Sequence, residues 1–224
     1  MRLFLLALLM LGGCASAHDP TDPLEPMNRK IYSFNDALDR AVVKPVAQGY
    51  VKVMPTAGQI VVSNFFSNLN DVTVTINDLL QFKLKQGFSD GMRFFVNTTI
   101  GALGLIDIAS INGLEKHKQD FGQTLAKWGV GNGPYLILPI LGPSTARDGV
   151  GWGIDTFEYP IKFNVPTRNE MFVAWGIDKR ASLLSAGSIV DAASIDPYSF
   201  TRDTYLLYRK GLINGPQKVN YDNE

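Results

Sequence analysis

The 224-residue sequence holds one cysteine, Cys14, and two histidines, His18 and His117. A single thiol can form neither an internal disulfide nor a thiolate metal cluster. No Gly-x-Ser-x-Gly elbow, Ser-x-x-Lys pair or His-Glu-x-x-His occurs, so the common nucleophile and zinc signatures are missing. The histidines offer no obvious base, since His18 sits in a polar tether and His117 lies among Glu115, Lys116 and Lys118. No catalytic residue, metal or cofactor is expected. Excess charge is missing too: 21 basic residues balance 21 acidic ones, which argues against a nucleic-acid partner. No segment of the mature chain offers 18 uninterrupted apolar residues, so no transmembrane helix is expected.

What is present begins with residues 1–13, one positive charge at Arg2 followed by an apolar run and small residues, which reads as a secretory signal. Its end, Leu11, Gly12, Gly13 and Cys14, resembles a bacterial lipobox, in which the cysteine is lipidated and the leader is cut before it. The plainer alternative is a secretion signal with an accidental cysteine. Three acyl chains on Cys14 exceed the two signals that stable membrane attachment needs. Ala15 stands where lipoproteins kept at the inner membrane typically carry Asp, which implies sorting to the outer membrane. Residues 14–23, with two Asp-Pro steps, read as a lipidated tether.

The body of the chain, residues 24–214, reads as one domain of short amphipathic helices, followed by a polar, disordered tail over residues 215–224. Met27, Ile31, Phe34 and Leu38 form a helical stripe, with Asn28 among the residues opposite. Pro45 and Pro55 suggest breaks, and a further helix is expected over residues 57–69. Residues 71–82 alternate like a strand through Val72, Val74 and Ile76, yet Val72, Ile76 and Leu79 fit a helix, which we favour. Helices are also expected through Phe88 and Thr99, and through Phe121 and Trp128. The spacings of Thr145 with Asp148 and of Thr167 with Glu170 predict capping boxes for two more. Gly149 and Gly153 suggest a groove for close helix packing. Asp196 and Pro197 open the last helix, with Tyr198, Tyr205 and Tyr208 along it.

Residues 120–148 are the least ordinary stretch. Gly129, Gly131, Gly133 and Gly142 stand among Pro134, Pro139 and Pro143, around an apolar run at 135–141 too broken for a regular helix or central strand. The glycines invite a phosphate-loop reading, but their spacing is wrong and Pro134 removes a donor. The adjacent charges Arg147/Asp148 and Arg202/Asp203 read most simply as caps and surface pairs, and carboxylates such as Asp22, Glu115 and Asp120 as solvated.

Several segments together are recognisable: residues 22–29 with Tyr32, Phe34 and Asn35; residues 63–69; Arg93 to Thr98 with 101–107; residues 120–148; and Asp196 to Tyr198. The chain resembles the MlaA/VacJ family of outer-membrane phospholipid-transport lipoproteins over about residues 22–211. The resemblance implies a mostly α fold, a ring of short amphipathic helices embedded in the outer membrane from the periplasmic side, with a polar channel. It implies removal of misplaced phospholipids from the outer leaflet, so that lipid asymmetry is maintained. The implied partners are phospholipids, a trimeric porin and a soluble periplasmic lipid-binding protein that feeds an ATP-driven inner-membrane complex.

On this reading Gly129, Gly131, Gly133, Pro134 and Tyr135 shape the passage, Arg147 and Asp148 line or brace it, and Met27, Ile31, Phe34 and Leu38 meet lipid. An ordinary buried core is the alternative for that last stripe. A porin-bound adaptor without a channel, or a lipid-modifying enzyme, are the alternatives for the whole chain.

Overall fold

The computed structural model describes residues 22–157, 164–187 and 194–215. The leader, Cys14, most of the tether, most of the tail and part of the proline-bounded connection before Pro166 lie outside these residues. No described helix is long and apolar enough to cross a membrane.

Helix α1 spans Glu25–Leu38, with Pro26 in its first turn, where no amide partner is needed. It does not stop before Pro45. Instead the chain widens into a π-helical turn, Asp39–Val43, where the Lys44 N–H reaches back five residues to the Asp39 carbonyl, and continues as α2, Lys44–Val53. The wide turn accommodates Pro45, which lacks a donor and crowds the turn before it.

After Pro55, α3 runs 25 residues, Thr56–Leu80. The segment with strand-like alternation is therefore helical and continuous with the helix before it. Packing overrides the β-branched residues, because Asp71, Val74 and Asp78 repeat at helical spacing and all three are buried. Thr75 turns its hydroxyl onto the Asp71 carbonyl at 2.7 Å. A turn with Phe82 at positive φ leads into α4, Leu84–Thr99, which returns antiparallel along α3 with Gly87 against Leu79 and Gly91 against Thr75.

The short α5, Ile108–Ile111, is capped by Asp107, and α6, Phe121–Lys127, by Asp120. Next comes a hairpin, β1 Tyr135–Leu138 with β2 Gly142–Thr145, antiparallel, pairing Tyr135 with Thr145 and Ile137 with Pro143. The broken apolar run thus does form a strand. In a two-stranded ribbon both strands are edges, which is where proline is tolerated. Alternation sends Tyr135 and Ile137 inward, where with Tyr198 they form a small apolar core flanked by Ile31, Tyr32, Tyr205 and Leu206.

Helix α7, Ala146–Phe157, starts with the expected contact, the Asp148 N–H on the Thr145 hydroxyl at 3.2 Å. Helix α8, Val165–Ser182, is capped by Asn164, whose side chain accepts from the Thr167 amide. Thr167 is therefore inside the helix and caps nothing, because the helix starts one turn before the expected box. Helix α9, Pro197–Asn214, is capped by Asp196 as expected.

Neighbouring elements close a circuit: α1 on the hairpin, the hairpin on α7, α7 on α6, α6 on α3, α3 on α8, α8 on α2, and α2 through the π-turn back to α1. The fold is a ring of helices. Helix α9 braces it against α6 and β2, and Arg180 clasps Asp39 of the π-turn at 2.7 and 2.8 Å.

Candidate functional site

Burial in this ring is inverted. Among the described residues seven hydrophobic side chains are buried, against eighteen polar or charged ones, while Phe82, Phe88, Phe95, Ile111 and Leu207 stand mostly exposed. The inversion follows from stripes in the sequence. On α3, Asn68, Asp71 and Asp78 repeat at helical spacing and turn inward, and on α4 Asp90, Arg93 and Asn97 do the same. Phe88 and Phe95 of α4 consequently face out.

Buried charge is costly unless paired and hydrogen-bonded, and the ring pairs most of it in three clusters. The first surrounds Arg209 of α9. Its guanidinium donates to both oxygens of Asp148 at 2.9 Å each and to both of Asp120. Asp148 also accepts from Arg147 at 2.8 and 3.0 Å and from the Tyr205 hydroxyl at 2.9 Å. Burial acts to raise the Asp120 carboxyl, but the Arg209 bonds prevail and hold it below the usual range. Gly122 makes room here, since a Cβ on it would sit 2.6 Å from Asp148 Oδ1.

The second cluster surrounds Arg93, which forks onto both oxygens of Asp107 at 3.1 Å, donates to Ser110 at 3.0 Å and to the Leu114 carbonyl, and turns its Nε toward Asp71. Lys116 bonds Asp71 and the Ser67 carbonyl. The third ties the start of α1 to the hairpin and α9. Asn28 donates to Asp22 at 2.8 Å and to the Tyr135 carbonyl at 3.0 Å, and accepts from the Ile137 amide at 2.9 Å. The Tyr198 hydroxyl and Arg202 also meet Asp22.

Next to the second cluster, Asp78 and Asp90 face each other fully buried. Burial and then the neighbouring Asp90 carboxylate push the Asp78 carboxyl up to about 7. The His117 Nδ1 lies 3.0 Å from Asp90, and Gln86 donates to Asp78 at 2.9 Å. No group of three His, Cys, Asp or Glu residues able to hold a metal occurs among the described residues.

The residues singled out from sequence fall in three places. Gly129, Gly131, Gly133 and Pro134 form an exposed loop, tied to α7 by the Ala146 amide on the Pro134 carbonyl at 3.0 Å and the Arg147 amide on that of Asn132 at 3.2 Å. Tyr135 is fully buried behind that loop, and Arg147 and Asp148 are buried in the Arg209 cluster. They are not surface pairs. Asp22 is likewise buried and not solvated, because Asn28, Tyr198 and Arg202 surround it. Of the α1 stripe, Phe34 is exposed, Met27 and Leu38 are half-buried, and Ile31 packs on the Tyr135 core.

Arg209, Arg93 and Lys116 were not singled out from sequence. A signal existed for the first: Tyr198, Arg202, Tyr205 and Arg209 recur at four, three and four residues, one polar-aromatic face of α9. The small-residue approach also lies elsewhere. Gly153 has open space around it, whereas Gly151 meets Gly122 backbone to backbone.

The family model for MlaA lipoprotein matches residues 20–211. The intermembrane phospholipid transport system lipoprotein MlaA of Escherichia coli (strain K12) is 36% identical over 237 residues, covering 100% of this chain and 93% of that protein. The Haemophilus influenzae protein of the same name is 32% identical over 227 residues, covering 96% and 90%. A solved structure concerned with the structural basis for maintenance of bacterial outer membrane lipid asymmetry superposes with a TM-score of 0.76 at 33% identity. It covers 86% of this chain and 99% of that one.

Proposed function

The chain belongs to the MlaA lipoprotein family, and from that premise we propose that it is an outer-membrane lipoprotein that removes mislocalised phospholipids from the outer leaflet and thereby maintains lipid asymmetry. The observation that carries this reading is the inverted burial. An exposed apolar surface of this extent drives association in water, whereas in a bilayer it meets acyl chains. Polar groups inside a membrane belong against protein or a water-filled cavity, and a helical ring with a polar interior supplies both. Headgroups then pass the interior while acyl chains stay with the apolar surface.

The finer assignments rest on the same reading. Cys14 carries the lipid anchor, residues 14–23 tether it, residues 24–214 form the ring, and residues 215–224 are a polar tail. The loop with Gly129, Gly131 and Gly133 forms a wall of the passage, and Arg147 and Asp148 brace it from behind through Arg209. A trimeric porin seats the ring in the membrane, and a soluble periplasmic carrier receives the lipid. No covalent step is involved, and direction is imposed by the partners, because a passage has no preference of its own.

The test is surface labelling of aminophospholipids with a membrane-impermeant, amine-reactive reagent. Cells lacking the protein should label more strongly, and reintroducing the chain should reverse this with no lyso-lipid formed. Labelling that the chain leaves unaltered, or the appearance of lyso-lipid, overturns the proposal.

A further inference from the structure

Most buried or half-buried carboxylates of the ring face an arginine or lysine, but Asp155 of α7 does not. Its Oδ1 accepts from Asn77 at 3.0 Å and its Oδ2 from the Phe121 amide at 2.9 Å. Among the described residues no cationic side chain lies within ion-pair distance of it. Burial, the largest influence on it, raises its carboxyl above the ordinary range. The group is held in position by neutral donors and keeps acceptor capacity to spare.

Asp155 lines a cleft of about 280 Å³ between α3, α6 and α7, together with Asn77, Leu80, Phe121, Trp128 and Ile154. Two walls are aromatic: the Phe121 and Trp128 rings stand at 84° to one another with centroids 5.7 Å apart. The indole is held by its Nε1–H on the Leu80 carbonyl at 3.2 Å. Its ring is nonetheless half exposed, and Ile76, Leu80 and Ile154 add apolar surface to the lining. The cleft therefore has a carboxylate and two aromatic rings in its walls, with apolar side chains beside them.

That combination suits an organic ammonium attached to a hydrocarbon. Aromatic faces attract a cation through the ring quadrupole, most strongly where water is excluded, and a carboxylate without a counter-ion gains by receiving one. An anionic headgroup that brings no cation of its own would be repelled by Asp155. We propose that this cleft binds the ammonium of an ethanolamine phospholipid, with Asp155 as counter-ion, Phe121 and Trp128 as flanking faces, and the acyl chains leaving over Leu80 and Ile154. The inference rests on the phospholipid reading above and adds a headgroup preference to it.

The experiment uses the full chain in detergent micelles and titrates it with three short-chain lipids of identical acyl groups. These are phosphatidylethanolamine, phosphatidylglycerol, and N-acetylated phosphatidylethanolamine, whose amine can no longer carry charge. The native protein should bind the first at least about tenfold more tightly than the other two, as a desolvated cation between rings and a carboxylate implies. Asp155→Asn, nearly isosteric, should erase that ratio, and Trp128→Leu should reduce it.

Equal binding of all three lipids by the native protein overturns the proposal without requiring any variant to fold. So does a preference that survives Asp155→Asn. Surface labelling separates this from failure of the wider reading. If the chain clears outer-leaflet lipid yet shows no amine preference, the cleft assignment falls and the transport function stands. If labelling is unaffected by the chain, both fall.

Discussion

Gly151 of α7 lies directly on Gly122 of α6: a Cβ built on Gly151 would come within 2.3 Å of the Gly122 nitrogen and 2.7 Å of its Cα. Here the two helices meet backbone to backbone, and this contact brings Asp148, one turn before Gly151, under Arg209. A methyl group at 151 must push the helices apart, at about 1–3 kcal/mol. At Gly153, two residues on, nothing lies within 4 Å, so a methyl group there should stabilise α7 by about 0.5–1 kcal/mol. Thermal melting in micelles should show Gly151→Ala falling and Gly153→Ala holding or rising. Two equal melting temperatures would mean that the α6/α7 contact is not as described.

Arg209 holds two carboxylates with one guanidinium, and Lys cannot reproduce that fork. Arg209→Met keeps the stem volume but leaves Asp120 without its cation and Asp148 with Arg147 alone. Breaking such a buried pair costs about 3–5 kcal/mol. The Met variant should be strongly destabilised and accumulate poorly. Adding Asp120→Asn to it should recover part of the loss, since the stranded charge is then gone. A double variant no better than the single one would deny the pairing.

The element list was largely readable in the sequence because caps and stripes are local signals: Asp196 and Thr145 cap the helices they were expected to cap. The polarity of the faces was not readable. The stripes on α1 and α4 have the ordinary helical period whether they face a core or lipid, so periodicity locates a face without telling what covers it. Ile31 and Phe34 sit on the same stripe, yet one packs on Tyr135 and the other is exposed. Buried polar clusters are similarly invisible when their members are far apart in sequence. Asp120, Asp148 and Arg209 are each unremarkable charges until the fold brings them together, and Asp22 meets Tyr198 across 176 residues. Pro45 misled for a different reason, since a π-turn lets a helix pass a proline that sequence rules read as a stop.

The glycine loop admits a clean test because its positions differ in strain. Gly131 has no neighbour within 4 Å, whereas Gly133 has φ +64° and its Cβ would come 3.0 Å from that of Ala146. Gly131→Trp should therefore fold normally. If the loop walls the passage, the variant should raise surface labelling of aminophospholipid at unchanged protein level. Gly133→Ala should cost about 1–2 kcal/mol through the left-handed backbone. Unchanged labelling in Gly131→Trp would take residues 129–133 out of the wall.

The Asp78/Asp90 pair should make the ring less stable as pH rises. Asp78 titrates at about 7 in the folded protein, against an ordinary value of 3.8. Between those values the folded state holds a proton that the unfolded state has lost, so stability declines from about pH 4 to pH 7 and levels off above. The upper bound on that decline is about 4 kcal/mol for a shift of this size. Relaxation and penetrating water lower such penalties, so about 1–2 kcal/mol is expected. Asp78→Asn keeps a neutral group of the same shape facing Asp90 and removes the extra titration. In micelles the native melting temperature should fall by several degrees between pH 5 and pH 8, and the variant's should fall less. The decline should be spread across the interval between the two values and be complete near pH 7, because the proton is released from the folded protein only there. Parallel curves for the two proteins would mean that Asp78 is not the group that titrates.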